Sequence, residues 1–224
     1  MTTYAELVES VAAITNRPAL VREMKVAIRK AIFKFHLADT FKRDLNTVNL
    51  DMSLYPSDIF RWTMDLSNAT AFPRFRKPSF LQIPPPNPLT TFYNDPNQAI
   101  LAYPGGLPKD RKFTFIAADN IFDDYAVERT NYFTQVGMSL NISATFAPTI
   151  LQLGYYMFPS FVDDSGNISI ISWIADQFQD AISEEAASTV FKMIGKDDES
   201  ARYQALFAEN IQMVRGIDLG EEGH

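Results

Sequence analysis

The chain has 224 residues, 46% of them hydrophobic, with 20 Lys and Arg against 27 Asp and Glu, a net charge of −7 and no cysteine. That length and apolar content exclude a disordered or fibrous chain and leave room for one sizeable domain or two small ones. The lack of thiols excludes a disulfide framework, a thiolate metal site and a cysteine nucleophile.

At the N-terminus, Thr3 and Glu6 match a capping box, and Tyr4, Leu7, Val8, Val11 and Ile14 follow the i, i+3, i+4, i+7 spacing of a helix with one apolar stripe. Glu6 and Glu9 interrupt the apolar residues and no basic segment precedes them, so the segment does not read as a signal peptide. No apolar run approaches the roughly 20 residues of a membrane span, so no membrane partner is expected, and the sequons at Asn68, Asn141 and Asn167 read as chance matches. After Thr15, Asn16 and Arg17, Pro18 suits a first helical turn. Leu20, Val21, Met24, Ala27, Ile28, Ala31, Ile32 and Phe35 then predict a longer helix, antiparallel to the first.

From about residue 54, short extended pieces are expected at Ile59–Trp62 and Phe72–Arg76. Residues 78–108 hold eight of the thirteen prolines, which fix φ and remove donors, so they predict a stiff projecting loop instead of central sheet. Phe80, Leu81, Phe92, Tyr93 and Tyr103 make this loop too apolar to stand alone in water, and a covering partner is expected. Antiparallel strands follow at 113–117, 132–136, 138–144 and 149–156; in the third, Met138, Leu140, Ile142 and Ala144 alternate with polar residues. Asp163–Asn167 reads as a turn and misses the calcium-loop spacing.

Ser172 is placed to cap one helix carrying Ile174, Phe178, Ala181, Ile182, Ala186, Val190 and Ile194, stopped by Gly195. A last helix starts at Asp197 or Asp198, points Ala201, Leu206, Phe207, Ile211 and Val214 inward, and ends at Gly216 before an acidic tail. The expected fold is α+β: N- and C-terminal helices (1–53 and 172–216) form a bundle with an inserted antiparallel β region (54–171) carrying the long Pro-rich loop, and 217–224 form a tail.

Little of this supports catalysis. The two histidines, His36 and His224, offer no metal cluster and no serine triad from adjacent segments, and His36 reads as a packing or surface residue. Gly105–Gly106 lies between prolines, away from any strand-to-helix junction that could cradle a phosphate. The pairs Asp123–Asp124, Asp163–Asp164 and Asp197–Asp198 suit turns and helix starts better than acid–base work. No cofactor and no metal are expected.

Charge is uneven: residues 1–115 hold 15 Lys/Arg and 10 Asp/Glu (+5), and residues 116–224 hold 5 and 17 (−12), which sum to −7. Such halves can pair between neighbouring copies or mix within one fold. Arg22, Lys25 and Arg29 share one helix face and suit acidic protein surfaces or phosphates.

The order of YAELVESVAAITNRP, a basic second helix, FPRFRKPSF, a strand region ending LQLGYYMFP and the closing WIADQFQDAISEEAASTVFKMIGKDDESARYQALF resembles the head-to-tail adaptor proteins of short-tailed bacteriophages, also called connector or tail tubular proteins. The resemblance implies a structural virion protein made in the host cytoplasm and placed at the head–tail junction, with no enzymatic role. It implies a homo-oligomer, a dodecameric ring beneath the portal that joins the tail nozzle or fibre proteins and passes double-stranded DNA without reading its sequence. Arg22, Lys25 and Arg29 would then face a neighbour or the channel. Ile217, Asp218, Leu219, Glu221 and Glu222 would dock on the portal, while Phe80, Leu81, Phe92, Tyr93 and Tyr103 would face the tail. Other readings are a neck, tail-completion or fibre-attachment protein with a different copy number, a carboxylate-based hydrolase and a nucleic-acid-binding regulator.

Overall fold

A computed structural model describes residues 4–55, 57–58, 60–84, 112–117, 131–161 and 170–220. The chain divides into two compact units, one of Leu45–Met157 and one of Met1–Asp44 with Phe158–His224.

The first unit is a sheet. Its strands are β1 (Leu45–Asp51), β2 (Ser57–Asp58), β3 (Arg61–Asp65), β4 (Phe75–Gln82), β5 (Lys112–Phe115), β6 (Tyr132–Val136), β7 (Ser139–Ser143) and β8 (Ile150–Met157). Among the described residues they join in the order β1-β8-β4-β5-β6-β7-β3-β2. All pairs are antiparallel except β5–β6, where Thr114 aligns with Tyr132 and Phe115 with Phe133 in parallel. The expected bundle with an inserted antiparallel β region is therefore corrected. The sheet is mixed and broad, and it buries its own core of Leu50, Trp62, Met64, Phe72, Leu81, Phe133, Leu140, Ile142, Leu151, Leu153 and Tyr155, as a self-supporting layer must. Alternation within a strand shows which face is buried, but not how many partners the strand has or which way they run.

The Pro-rich stretch is also corrected at its start. Pro78 lies inside β4, the strand between β8 and β5. It is tolerated because β5 pairs only with Leu81 and Gln82, so one edge of β4 is unpaired at Pro78 among the described residues, and the register with β8 shifts around it. The rest of the expected loop, 85–108, lies outside the described residues. At strand ends, Asp51 accepts from the Ser53 hydroxyl and N–H, and the Ser67 N–H donates to Asp65. These serine hydrogen bonds lower both carboxyl pKa values.

The second unit holds α1 (Tyr4–Thr15), α2 (Val21–Ala38), α3 (Trp173–Gln177), α4 (Gln179–Met193) and α5 (Asp197–Gly220), with a two-stranded ladder of β9 (Ser160–Phe161) and β10 (Ile170–Ile171). Asn16, with φ of 52°, ends α1 in the left-handed conformation that asparagine tolerates. The core joins Tyr4, Leu7 and Val11 of α1, Met24, Ile28, Ile32 and Phe35 of α2, Ala181, Ile182, Ala186 and Val190 of α4, and Ile211 and Val214 of α5. The single helix expected after Ser172 is two. Ser172 caps α3 through the Ala175 N–H, and Phe178, with φ of −128°, ends it and begins α4. Gly195, with φ of 73°, closes α4: its N–H donates to the Lys192 carbonyl at 3.2 Å and the Lys196 N–H to Phe191 at 2.9 Å, the paired bonds of a Schellman motif.

Candidate functional site

Helix α2 is apolar on two faces. Met24, Ala27, Ile28, Ala31, Ile32 and Phe35 form the buried one. Val26, Phe33 and Leu37, at i, i+7 and i+11, form a second line, and Val26 and Leu37 remain 43% and 52% exposed. With Ala38, and with Phe207 from α5, this line makes a shallow, wide-open groove of about 740 Å³ bordered by Arg29, Lys30 and Lys34. Sequence reasoning singled out the basic residues of this helix and missed the apolar line between them. The seven-residue step from Val26 to Phe33 was the signal that could have found it.

Arg22, Lys25 and Arg29 are all exposed on α2. Arg29 joins the groove rim, and the Lys25 carbonyl accepts from the Tyr4 hydroxyl. The charged halves of the chain meet inside this unit: Lys34 of α2 lies 2.7 Å from Glu185 of α4 and 3.8 Å above the Phe207 ring, and Arg215 pairs with Asp39. Lys34–Glu185 thus pairs a cation of the basic half with an acid of the acidic half within one unit.

The other expected site residues fall in both units and in part outside the described residues. Leu81 is fully buried in the sheet core, and Phe80, in β4, lies over Gly154 of β8. Neither is on a projecting loop, and Phe92, Tyr93 and Tyr103 lie outside the described residues. At the C-terminus α5 continues past Gly216, because Asp218 is buried at 7% exposure and its Oδ2 accepts from the Lys42 N–H at 3.0 Å. This contact ties the last turn of the helix to the 3-10 turn at Lys42–Asp44. Ile217 is 43% exposed. Leu219 belongs to the last turn of α5, with its side chain outside the described residues, as are Glu221 and Glu222.

His36 stands in a polar node built from three segments. Its Nδ1 lies 2.7 Å from Asp44 Oδ2 and its Nε2 lies 2.9 Å from Ser172 Oγ. Trp173 Nε1–H donates to Asp44 Oδ1 at 2.9 Å and the Ala175 N–H to Ser172 Oγ at 3.3 Å. A carboxylate accepting on both oxygens places a proton on Nδ1, and Nε2 shares a hydrogen bond with the serine hydroxyl. The order Asp, His, Ser is that of a hydrolytic triad. Here, however, the three residues are 5%, 2% and 4% exposed, and the serine oxygen already serves as a helix cap. This is the chemistry of a structural pin. A fluorophosphonate probe is expected to leave Ser172 unmodified in the folded chain, with peptide mass spectrometry as the readout.

Among the described residues there is no group of three or more acidic or histidine side chains that could hold a metal ion, and no helix long and apolar enough to cross a membrane. No protein-family model matches the chain, and no curated protein matches it.

Proposed function

We propose that the chain is a structural assembly protein, and that its concrete form is a head-to-tail adaptor of a short-tailed bacteriophage: a ring between portal and tail that continues the DNA channel. The observation that supports this reading most is the α2 groove, an apolar floor with Val26 and Leu37 exposed inside a cationic rim. An apolar line bordered by charge on the exposed side of a helix is the anatomy of a protein-binding surface. The segment order in the sequence, which resembles that family, supplies the rest.

In such an assembly the side chains do no covalent chemistry. They fix the rotation between copies, and a closed ring results only if that rotation divides a full turn. The cations on α2 then serve register and encounter, and the apolar floor supplies most of the affinity. The test is the light-scattering mass of the cognate portal ring before and after addition of this chain. The expected gain is about twelve chains per portal, by symmetry matching. A gain of a different multiple would favour a neck, tail-completion or fibre-attachment role, and no gain would overturn the adaptor reading.

A further inference from the structure

The groove has a counterpart on the same chain. On α5 the exposed residues Glu209, Met213 and Ile217 recur every four positions and so form one line, while Ile211 and Val214 face the core. Met213 is 49% exposed and Ile217 is 43% exposed, large for apolar side chains on a packed helix. From Glu209 to Ile217 the line spans about 12 Å, and the groove floor from Val26 to Leu37 spans about 16 Å, at the rise of an α-helix. The line is apolar with an acid at one end. The groove is apolar with Arg29, Lys30 and Lys34 around it.

Building on the assembly reading above, we propose that the groove on α2 of one copy receives the Glu209–Met213–Ile217 line on α5 of the next. One copy does not fill its own groove this way. Phe207, which lines the groove, sits on the same helix as the line, and Met213 and Ile217 project roughly 80–120° around that helix from it. Docking of an amphipathic helix in an apolar groove is a common mode of protein recognition, with anchors at four-residue steps and flanking charge setting direction. Glu209 against the Lys30 side of the rim sets that direction here. Because the two surfaces differ, the contact is heterologous: each copy uses its groove on one neighbour and its line on the other, the connectivity from which rings are built.

The cysteine-free chain makes the test direct. Leu37→Cys and Met213→Cys, both at exposed positions, are purified separately, checked for unchanged circular dichroism, and oxidised alone and as an equimolar mixture at high protein concentration. The expected result is a disulfide-linked dimer in the mixture, at least fivefold more than with either variant alone. In parallel, Lys30→Glu is expected to weaken self-association about tenfold by sedimentation, and Lys30→Glu combined with Glu209→Lys to restore it. Assembly by mass without the mixed cross-link would overturn this inference and leave the adaptor reading standing. Equal cross-linking of Leu37→Cys with itself would overturn it in favour of a two-fold dimer. A chain that stays monomeric and uncross-linked at every concentration would overturn it too, whereas the adaptor reading is decided separately by the mass gained on the portal.

Discussion

Replacing His36 with alanine is expected to destabilise the helical unit by about 3–5 kcal/mol, the scale of cutting a buried ring to alanine and leaving a buried acceptor without its donor. The ring is 2% exposed and satisfies two other groups at once, Asp44 Oδ2 and Ser172 Oγ. Its removal leaves a cavity beside Trp173, whose ring the imidazole meets edge to face at 6.2 Å, and a carboxylate at 5% exposure held by the Trp173 indole on one side only. Asparagine at position 36 can return a donor toward Asp44 without reaching Ser172, so His36→Asn is expected to recover part of the loss. The two tryptophans allow a clean measurement, because Trp62 belongs to the sheet unit and Trp173 to the node itself. In a Trp62→Phe background, urea unfolding followed by Trp173 fluorescence reads the helical unit alone, which matters where two units need not unfold as one. A midpoint unchanged by His36→Ala would show that the node contributes nothing to stability and would reopen a chemical role for Ser172.

The pin could not be read from the sequence because its members are 36, 44 and 172, and no local spacing joins them. The hint was narrower: His36 directly follows Phe35 on the buried side of α2, where a polar ring must find partners. Local features were legible. The stripes of α1 and α2, the cap at Ser172 and the stop at Gly195 depend on neighbours within one or two turns, and the chain folds there as its pattern predicts. What depended on distant partners was not legible. Gly216 reads as a helix end, yet α5 continues because Lys42, far back in the chain, offers its N–H to Asp218. Pro78 reads as the start of a loop, yet it sits in β4, where the neighbouring strand does not extend far enough to need its missing donor. The apolar line of the groove was visible in principle at Val26, Phe33 and Leu37, but the richer stripe beside it, from Met24 to Phe35, explained the helix without it.

The sheet unit makes a comparable prediction at Gly154, where a valine is expected to cost about 1–3 kcal/mol, as overpacking of a tight site does. Gly154 lies in β8 opposite Phe80 of β4, with β1 on its other side. The aromatic ring covers the glycine so closely that an added Cβ would stand 2.6 Å from Phe80 Cδ1. Valine has higher strand propensity than glycine, so by that measure alone the change would stabilise β8. The clash decides the sign, since the ring must leave its place over the strand and give up the surface it shields. This explanation has a specific consequence. In a Phe80→Ala background the obstruction is gone, and Gly154→Val should become neutral or favourable, giving a coupling of at least about 1 kcal/mol in a double-mutant cycle. Trp62 fluorescence in a Trp173→Phe chain follows the unit in question. Equal costs with and without the Phe80 ring would place the origin of the effect in the β8 backbone and remove close packing of Phe80 on Gly154 as the reason this strand carries a glycine.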